Sequence, residues 1–216
     1  MAAMNMQIRS YRVDGTSRFD ALLNIAKEYE WALAIEYVGT ALFEPVNIGL
    51  TSGDAKQALD ALLPPAQGFG VSIDGEIVHI RHNEMSRHEG NMLDTVLDRC
   101  IIPEVSLQVA SAMVRRDLFR QLNPNDRRGY AFSISGGGTR RVGPHAFEKL
   151  SVREILNRIV EGHGHSAWIV QVTPKELVRW RDLLWTVVEY DSRLMERIGA
   201  LTQERAGLDP KPLYST

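Results

Sequence analysis

Asp54-Ala55-Lys56-Gln57-Ala58-Leu59-Asp60-Ala61-Leu62-Leu63, leading into the apolar run Phe69 to Ile73, is the stretch on which the reading of this chain turns. It holds a capping residue, apolar side chains at helical steps, then a glycine and a strand. Ser151-Val152-Arg153-Glu154-Ile155-Leu156-Asn157-Arg158-Ile159-Val160, leading to Ala167 to Val172, repeats the pattern 97 residues later. A unit that occurs twice points to two related α/β lobes rather than to one irregular domain.

Working outward, Gln7 to Val13 reads as an opening strand, and Ser17 caps a helix whose face carries Phe19, Leu22, Leu23 and Ala26. Trp31 to Val38 is a strand broken by Gly39, and Pro45 to Leu50 is another. Pro64-Pro65 ends the helix that Asp54 starts, because proline has no amide to donate. Gly70 to Ile80 is a hairpin around Asp74-Gly75, a pair that tolerates the positive φ of a tight turn. The polar stretch Arg81 to Asn91 is the linker.

In the second half, Leu97 to Ile102 reads as a strand and Ser106 to Leu122 as a long amphipathic helix with Leu107, Ala110, Val114 and Leu118 in register. Tyr130 to Ser135 is a strand, Val142 to Leu150 a returning segment, and Ser151 caps the next helix. Ser166 to Val172 and Leu183 to Tyr190 are strands, with a helical turn over Pro174 to Arg181 between them. Ser192 to Arg205 reads as a terminal helix. The expected fold is α+β: two tandem βαββαβ-like lobes with small mixed sheets, plus a C-terminal strand and helix. The lobes span residues 1–85 and 92–173, and the extension 174–216.

The 216 residues carry 25 basic and 27 acidic side chains, a formal net charge of -2, which argues against a broad electrostatic footprint for nucleic acid or anionic membrane. With 44% hydrophobic and 24% charged residues the chain has the make-up of a folded globular protein. No stretch is long and apolar enough to span a bilayer. Met1 to Ser10 lacks the charge and apolar core of a signal peptide, so the expected compartment is the cytoplasm, or the periplasm if an export signal has been removed. The single Cys100 excludes an intrachain disulfide and reads as a core thiol on a strand.

Phe19-Asp20-Ala21-Leu22-Leu23-Asn24-Ile25-Ala26, Val46-Asn47-Ile48-Gly49-Leu50, Ala58-Leu59-Asp60-Ala61-Leu62-Leu63 and Val71 to Ile80 together resemble the short domain at the N-terminus of secretins and TonB-dependent receptors. Leu150 to Val160 looks like the same helix in a second, divergent copy. The resemblance implies a periplasmic protein-interaction module with no catalysis of its own, and no cofactor or metal is expected. No secretin pore, plug or barrel sequence follows.

Candidate chemistry is sparse. His79 and His82 fall on opposite faces of a strand, and His163 and His165 flank Gly164 with no third metal donor assigned beside them. Ser135-Gly136-Gly137-Gly138-Thr139 lacks the lysine of a phosphate loop. Glu28 with Glu30, and Asp94 with Asp98, read as solvated helix faces. Arg140 and Arg141 are the candidate anion-binding residues, and with Arg115, Arg116, Arg127 and Arg128 they supply an alternative, nucleic-acid binding. A small metal-dependent hydrolase or ligand-binding enzyme gathering His163, His165, Arg140 and Arg141 between the lobes is the other. The favoured expectation is a non-enzymatic interaction or assembly module. Its candidate partner-binding residues are Trp180, Trp185, Val187 and Tyr190 of the C-terminal extension, whose strand Leu183 to Tyr190 is the expected edge for a protein partner or for pairing with a second copy.

Overall fold

A computed structural model describes residues 7–8, 11–39, 41–50, 53–86, 91–125, 140–164, 166–172 and 184–190. The first half runs β1 (Gln7–Ile8), β2 (Tyr11–Ser17), α1 (Arg18–Glu28), β3 (Ala32–Val38), β4 (Pro45–Leu50), β5 (Gly53–Asp54), α2 (Ala55–Leu62), β6 (Phe69–Asp74), β7 (Ile77–His82) and a short α3 (Asn83–Ser86). The second runs β8 (Val96–Ile102), β9 (Val105–Ser106), α4 (Leu107–Leu122), β10 (Arg141–Val142), β11 (His145–Ser151), α5 (Val152–His163), β12 (Ser166–Val172) and β13 (Leu184–Glu189). The class is α+β. The expected strand at Tyr130 to Ser135, the glycine run, the helical turn over Pro174 to Arg181 and the terminal helix at Ser192 to Arg205 lie outside the described residues.

Among the described residues, every helix of two turns or more starts on a side-chain cap. The oxygens of Ser17, Asp54, Ser106 and Ser151 accept from the amides of Asp20, Gln57, Val109 and Glu154. At Asp54 and Ser151 the third helical residue reaches back to the cap amide, closing a capping box that satisfies two otherwise orphaned donors. Behind the caps, α2 buries Ala55, Ala58, Leu59 and Leu62, and α5 buries Val152, Ile155, Leu156, Ile159 and Val160.

The two halves build the same local devices. In each, a strand ahead of the first long helix pairs antiparallel with one that lies between the two helices: β2 with β4, and β8 with β11. In each, the second helix is followed by two strands that pair antiparallel: β6 with β7, and β12 with β13. Gly75, at φ +61, occupies the first central position of the two-residue β6–β7 loop, where a side chain would be strained.

The sequence pattern assigns each half its own sheet, and here the structure differs. A single five-stranded mixed sheet, ordered β13-β12-β3-β7-β6, takes strands from both halves. Its seam is a parallel ladder between β3 and β12, with Ala34 beside Trp168 and Glu36 beside Val170. The C-terminal strand β13 is therefore a member of this sheet and not an appendage. The physical reason lies in the two seam strands, Ala-Leu-Ala-Ile-Glu-Tyr-Val and Ser-Ala-Trp-Ile-Val-Gln-Val. β3 is buried along its whole length, and runs of this kind need cover on both faces and pairing on both edges.

Helices α1 and α2 cover one face of the sheet and α4 and α5 the other, so two cores form. The first joins Leu22, Leu23, Leu59 and Leu62 to Leu33, Ile35 and Tyr37 of β3, and it also takes Ala167, Ile169, Val188 and Tyr190 from the second half. The second joins Leu107, Val114, Ile155 and Ile159 to Trp168 and Val170, and it takes Ala32, Ala34 and Ile77 from the first half. Each fully buried large aliphatic side chain is worth roughly 1.5–3 kcal/mol in transfer terms, so neither core is complete without the other half.

Candidate functional site

Glu36 lies near the middle of the seam strand, its side chain only 4% exposed. A carboxylate there needs partners, since an unpaired buried charge costs several kcal/mol. Arg153, on the first turn of α5, supplies a two-pronged match: Nε donates to one carboxylate oxygen at 2.5 Å and Nη2 to the other at 3.1 Å. Arg81 on β7, beside Glu36 in the ladder, brings its Nε to 3.4 Å, and the Asn91 amide donates from 3.4 Å. Asp94 completes the group by accepting from Arg153 and facing Arg81 at 3.9 Å.

The cluster thus holds two guanidinium groups and two carboxylates drawn from β3, β7, the segment at 91–94 and α5. Burial disfavours the Arg153 cation, yet the hydrogen bonds to Glu36 and Asp94 outweigh it and leave its pKa above the ordinary arginine value. His79, which pairs with Ala34, is pushed down by burial, with the nearby acids opposing that shift only in part. The arrangement clamps α5 and the inter-half segment onto the first-half sheet. Its charges are paired with one another across the two halves.

The candidate partner-binding residues are placed differently from the sequence expectation. Tyr190 is buried, and its hydroxyl donates toward the carbonyls of Trp31 at 2.6 Å and Ser166 at 3.0 Å, bridging the two halves. Burial pushes its phenol well above the ordinary tyrosine value. Val187 is buried in the second core, and Trp185 packs against that core while its indole donates to Ser111 Oγ at 2.8 Å. These three side chains are turned inward rather than offered along an edge. Trp180 lies outside the described residues.

Arg140 and Arg141 are exposed at β10, and the Arg141 guanidinium donates to the Glu104 carbonyl at 3.3 Å. Arg116 faces its neighbour Asp117 at 2.8 Å, and Arg127 and Arg128 lie outside the described residues. His163, buried at the end of α5, stands 3.5 Å from Glu189, and His165 lies outside the described residues. Among the described residues no three histidines, cysteines or acids are grouped to hold a metal ion. Cys100 is buried on β8, and burial, with the Asp117 carboxylate, pushes its thiol up to about 12, the state of an unreactive cysteine.

Glu36 and Arg153 escaped the sequence reading because they are 117 residues apart and meet only through the seam. The signal that could have found them is the lone glutamate inside an otherwise apolar run, since a charge in a buried strand demands a counter-charge. Comparisons with family models, with curated proteins and with solved structures find no match to this chain. Among the described residues no helix is long and apolar enough to cross a membrane.

Proposed function

We propose that this chain is a non-enzymatic protein-interaction or assembly module that engages partners by adding strands to its sheet, in the manner of an envelope domain of the secretin and TonB-receptor N-terminal type. The observation that carries this reading is the five-stranded sheet itself, which ends in β13 on one side and β6 on the other, each with one edge unpaired among the described residues. An unpaired edge offers a row of backbone donors and acceptors to an extended segment. The resemblance supports the reading at the level of elements. The Leu22-Leu23 helix, the strand ahead of Ala58 to Leu63 and the Asp74-Gly75 hairpin are α1, β4 with α2, and β6 with β7.

The test is site-specific photo-crosslinking in the native host. A photoreactive residue at Ser72, on β6, is expected to trap a discrete protein adduct, whereas one at Glu148, on the outer face of the β8–β11 ribbon, is not. Stoichiometric metal in the purified protein, together with ester or phosphoester hydrolysis lost in His163→Gln, would overturn the proposal in favour of a hydrolase.

A further inference from the structure

Beneath α5 the sheet carries a titratable group that the Glu36 clamp does not use. On β7, Val78 and Ile80 belong to the first core and Ile77 to the second, so His79 lies with Ile77 and Arg81 on the face that looks toward α5. Its cross-strand neighbours are Ser72 on β6 and Ala34 on β3, and Glu36 stands two residues farther along β3, beside Arg81. The imidazole is half-buried there.

Charges surround it from the elements packed on this face. β6 contributes Asp74 and β3 contributes Glu36, both of which favour the imidazolium, and α5 contributes Arg153, which opposes it. Arg81 follows two residues later on β7 itself, and Asp94 faces Arg81 at 3.9 Å. Farther along α5, Glu161 reaches toward the β6–β7 loop, where a Cβ on Gly75 would lie 3.4 Å from its Oε1. The short α3 packs against β3 and β7, and its charged residue, Glu84, is exposed. Burial is the largest influence on His79 and outweighs the two acids, which holds its pKa below the ordinary histidine value of 6.5. A proton is therefore taken up more readily where water reaches the ring than where the ring stays under the helix.

We infer that His79 is an acid-operated release for the joint between α5 and the first-half sheet: its protonation sets a third cation beside Arg81 and Arg153, weakens their hold on Glu36 and loosens the helix. The direction follows from linkage. Above pH 6.5 the imidazole is neutral whether the helix is seated or lifted, and the joint has its full strength. As pH falls through that value the lifted state gains its proton first, so the helix is held less firmly. The loss levels off once the imidazole of the seated state is charged as well. Arg81 and Arg153 keep their charge throughout this range, because arginine does not titrate near neutrality.

Trp168 supplies a reporter. It is buried on β12, and its indole donates to Asn157 Oδ1 at 2.8 Å, one turn beyond Arg153 on α5. Exchange of that indole hydrogen can be followed by NMR on the full chain from about pH 7.5 to 5, corrected for the intrinsic pH dependence of exchange. Protection should be lost along the same curve on which the His79 imidazole takes up its proton, while the amides of α1, on the opposite face, keep theirs. The loss should amount to about tenfold for every pH unit by which the measured His79 midpoint lies below 6.5. His79→Gln should abolish it, and His163→Gln, which alters the contact with Glu189 at the far end of α5, should preserve it. A His79 midpoint at or above 6.5, or a loss that persists in His79→Gln, would overturn the inference. An equal loss in the α1 amides would overturn it too, since the whole fold would then be giving way. Should His79→Gln fail to fold, the unaltered chain decides: imidazole and indole curves with different midpoints would refute the release.

Discussion

Glu36 and Arg153 belong to different halves of the chain and meet in a largely dry setting, so what each is worth depends on the other. Removing Glu36 leaves the Arg153 and Arg81 guanidinium groups without their shared counter-charge. Glu36→Ala is expected to cost about 3–5 kcal/mol in urea denaturation. Replacing both members of the closest pair by apolar residues, Glu36→Leu with Arg153→Leu, is expected to cost less than Glu36→Ala alone, because the two most buried charges leave together and the half-exposed Arg81 and Asp94 keep each other at 3.9 Å. A strictly additive double variant would refute the coupling. At the alkaline end, Tyr190, Tyr11 and Cys100 are acids that the fold holds protonated. Burial raises all three, Tyr11 and Cys100 to about 12 and Tyr190 well above its ordinary value. Their stabilisation is complete below their ordinary values, near 9 for the thiol and 10 for the phenols, and drains away as pH rises toward the folded values. Melting temperature should therefore fall from about pH 9 upward, and Cys100→Ala should remove the part of that slope that begins lowest.

At the scale of elements, much was legible in advance. Ser17, Asp54, Ser106 and Ser151 announce their helices because capping is local chemistry, settled within three residues of the cap. The Asp74-Gly75 pair likewise marks its hairpin, although the two-residue loop falls one position later, at Gly75 and Glu76, and Pro45 to Leu50 is a strand bounded as the sequence indicates. Asp54→Ala and Ser151→Ala should each cost about 1 kcal/mol, and Gln57→Ala or Glu154→Ala less, since these remove only the returning arm of the box. Thermal denaturation of the four variants would show that ranking. The pairing of β3 with β12 was hidden. Two strands buried on both faces carry no alternation to say which neighbour they want, and their separation in sequence leaves no turn to fix a register. The inward orientation of Trp185, Val187 and Tyr190 was hidden for the same cause: a strand looks like an exposed edge until its core is known.

For the whole molecule, a shared sheet and two mutually completed cores make the halves one cooperative unit. Fragments 1–90 and 91–216 should each fail to give a dispersed amide spectrum alone, and mixing them should restore it, with a single unfolding transition for the intact chain. A folded 1–90 fragment would contradict the shared-core picture. Tyr190 compresses the point into one side chain, its hydroxyl resting on carbonyls from both halves.

The late position of β12 also has a consequence during synthesis. β3 leaves the ribosome about 130 residues before its seam neighbour is translated, an interval of roughly 7–25 s at ordinary elongation rates. Throughout that time the nascent chain carries an apolar strand with one margin bare and a glutamate still waiting for its arginine. Folding by halves as the chain emerges is closed to this protein, which makes its newborn first half a natural client for chaperones that shield such strands until β12 has emerged.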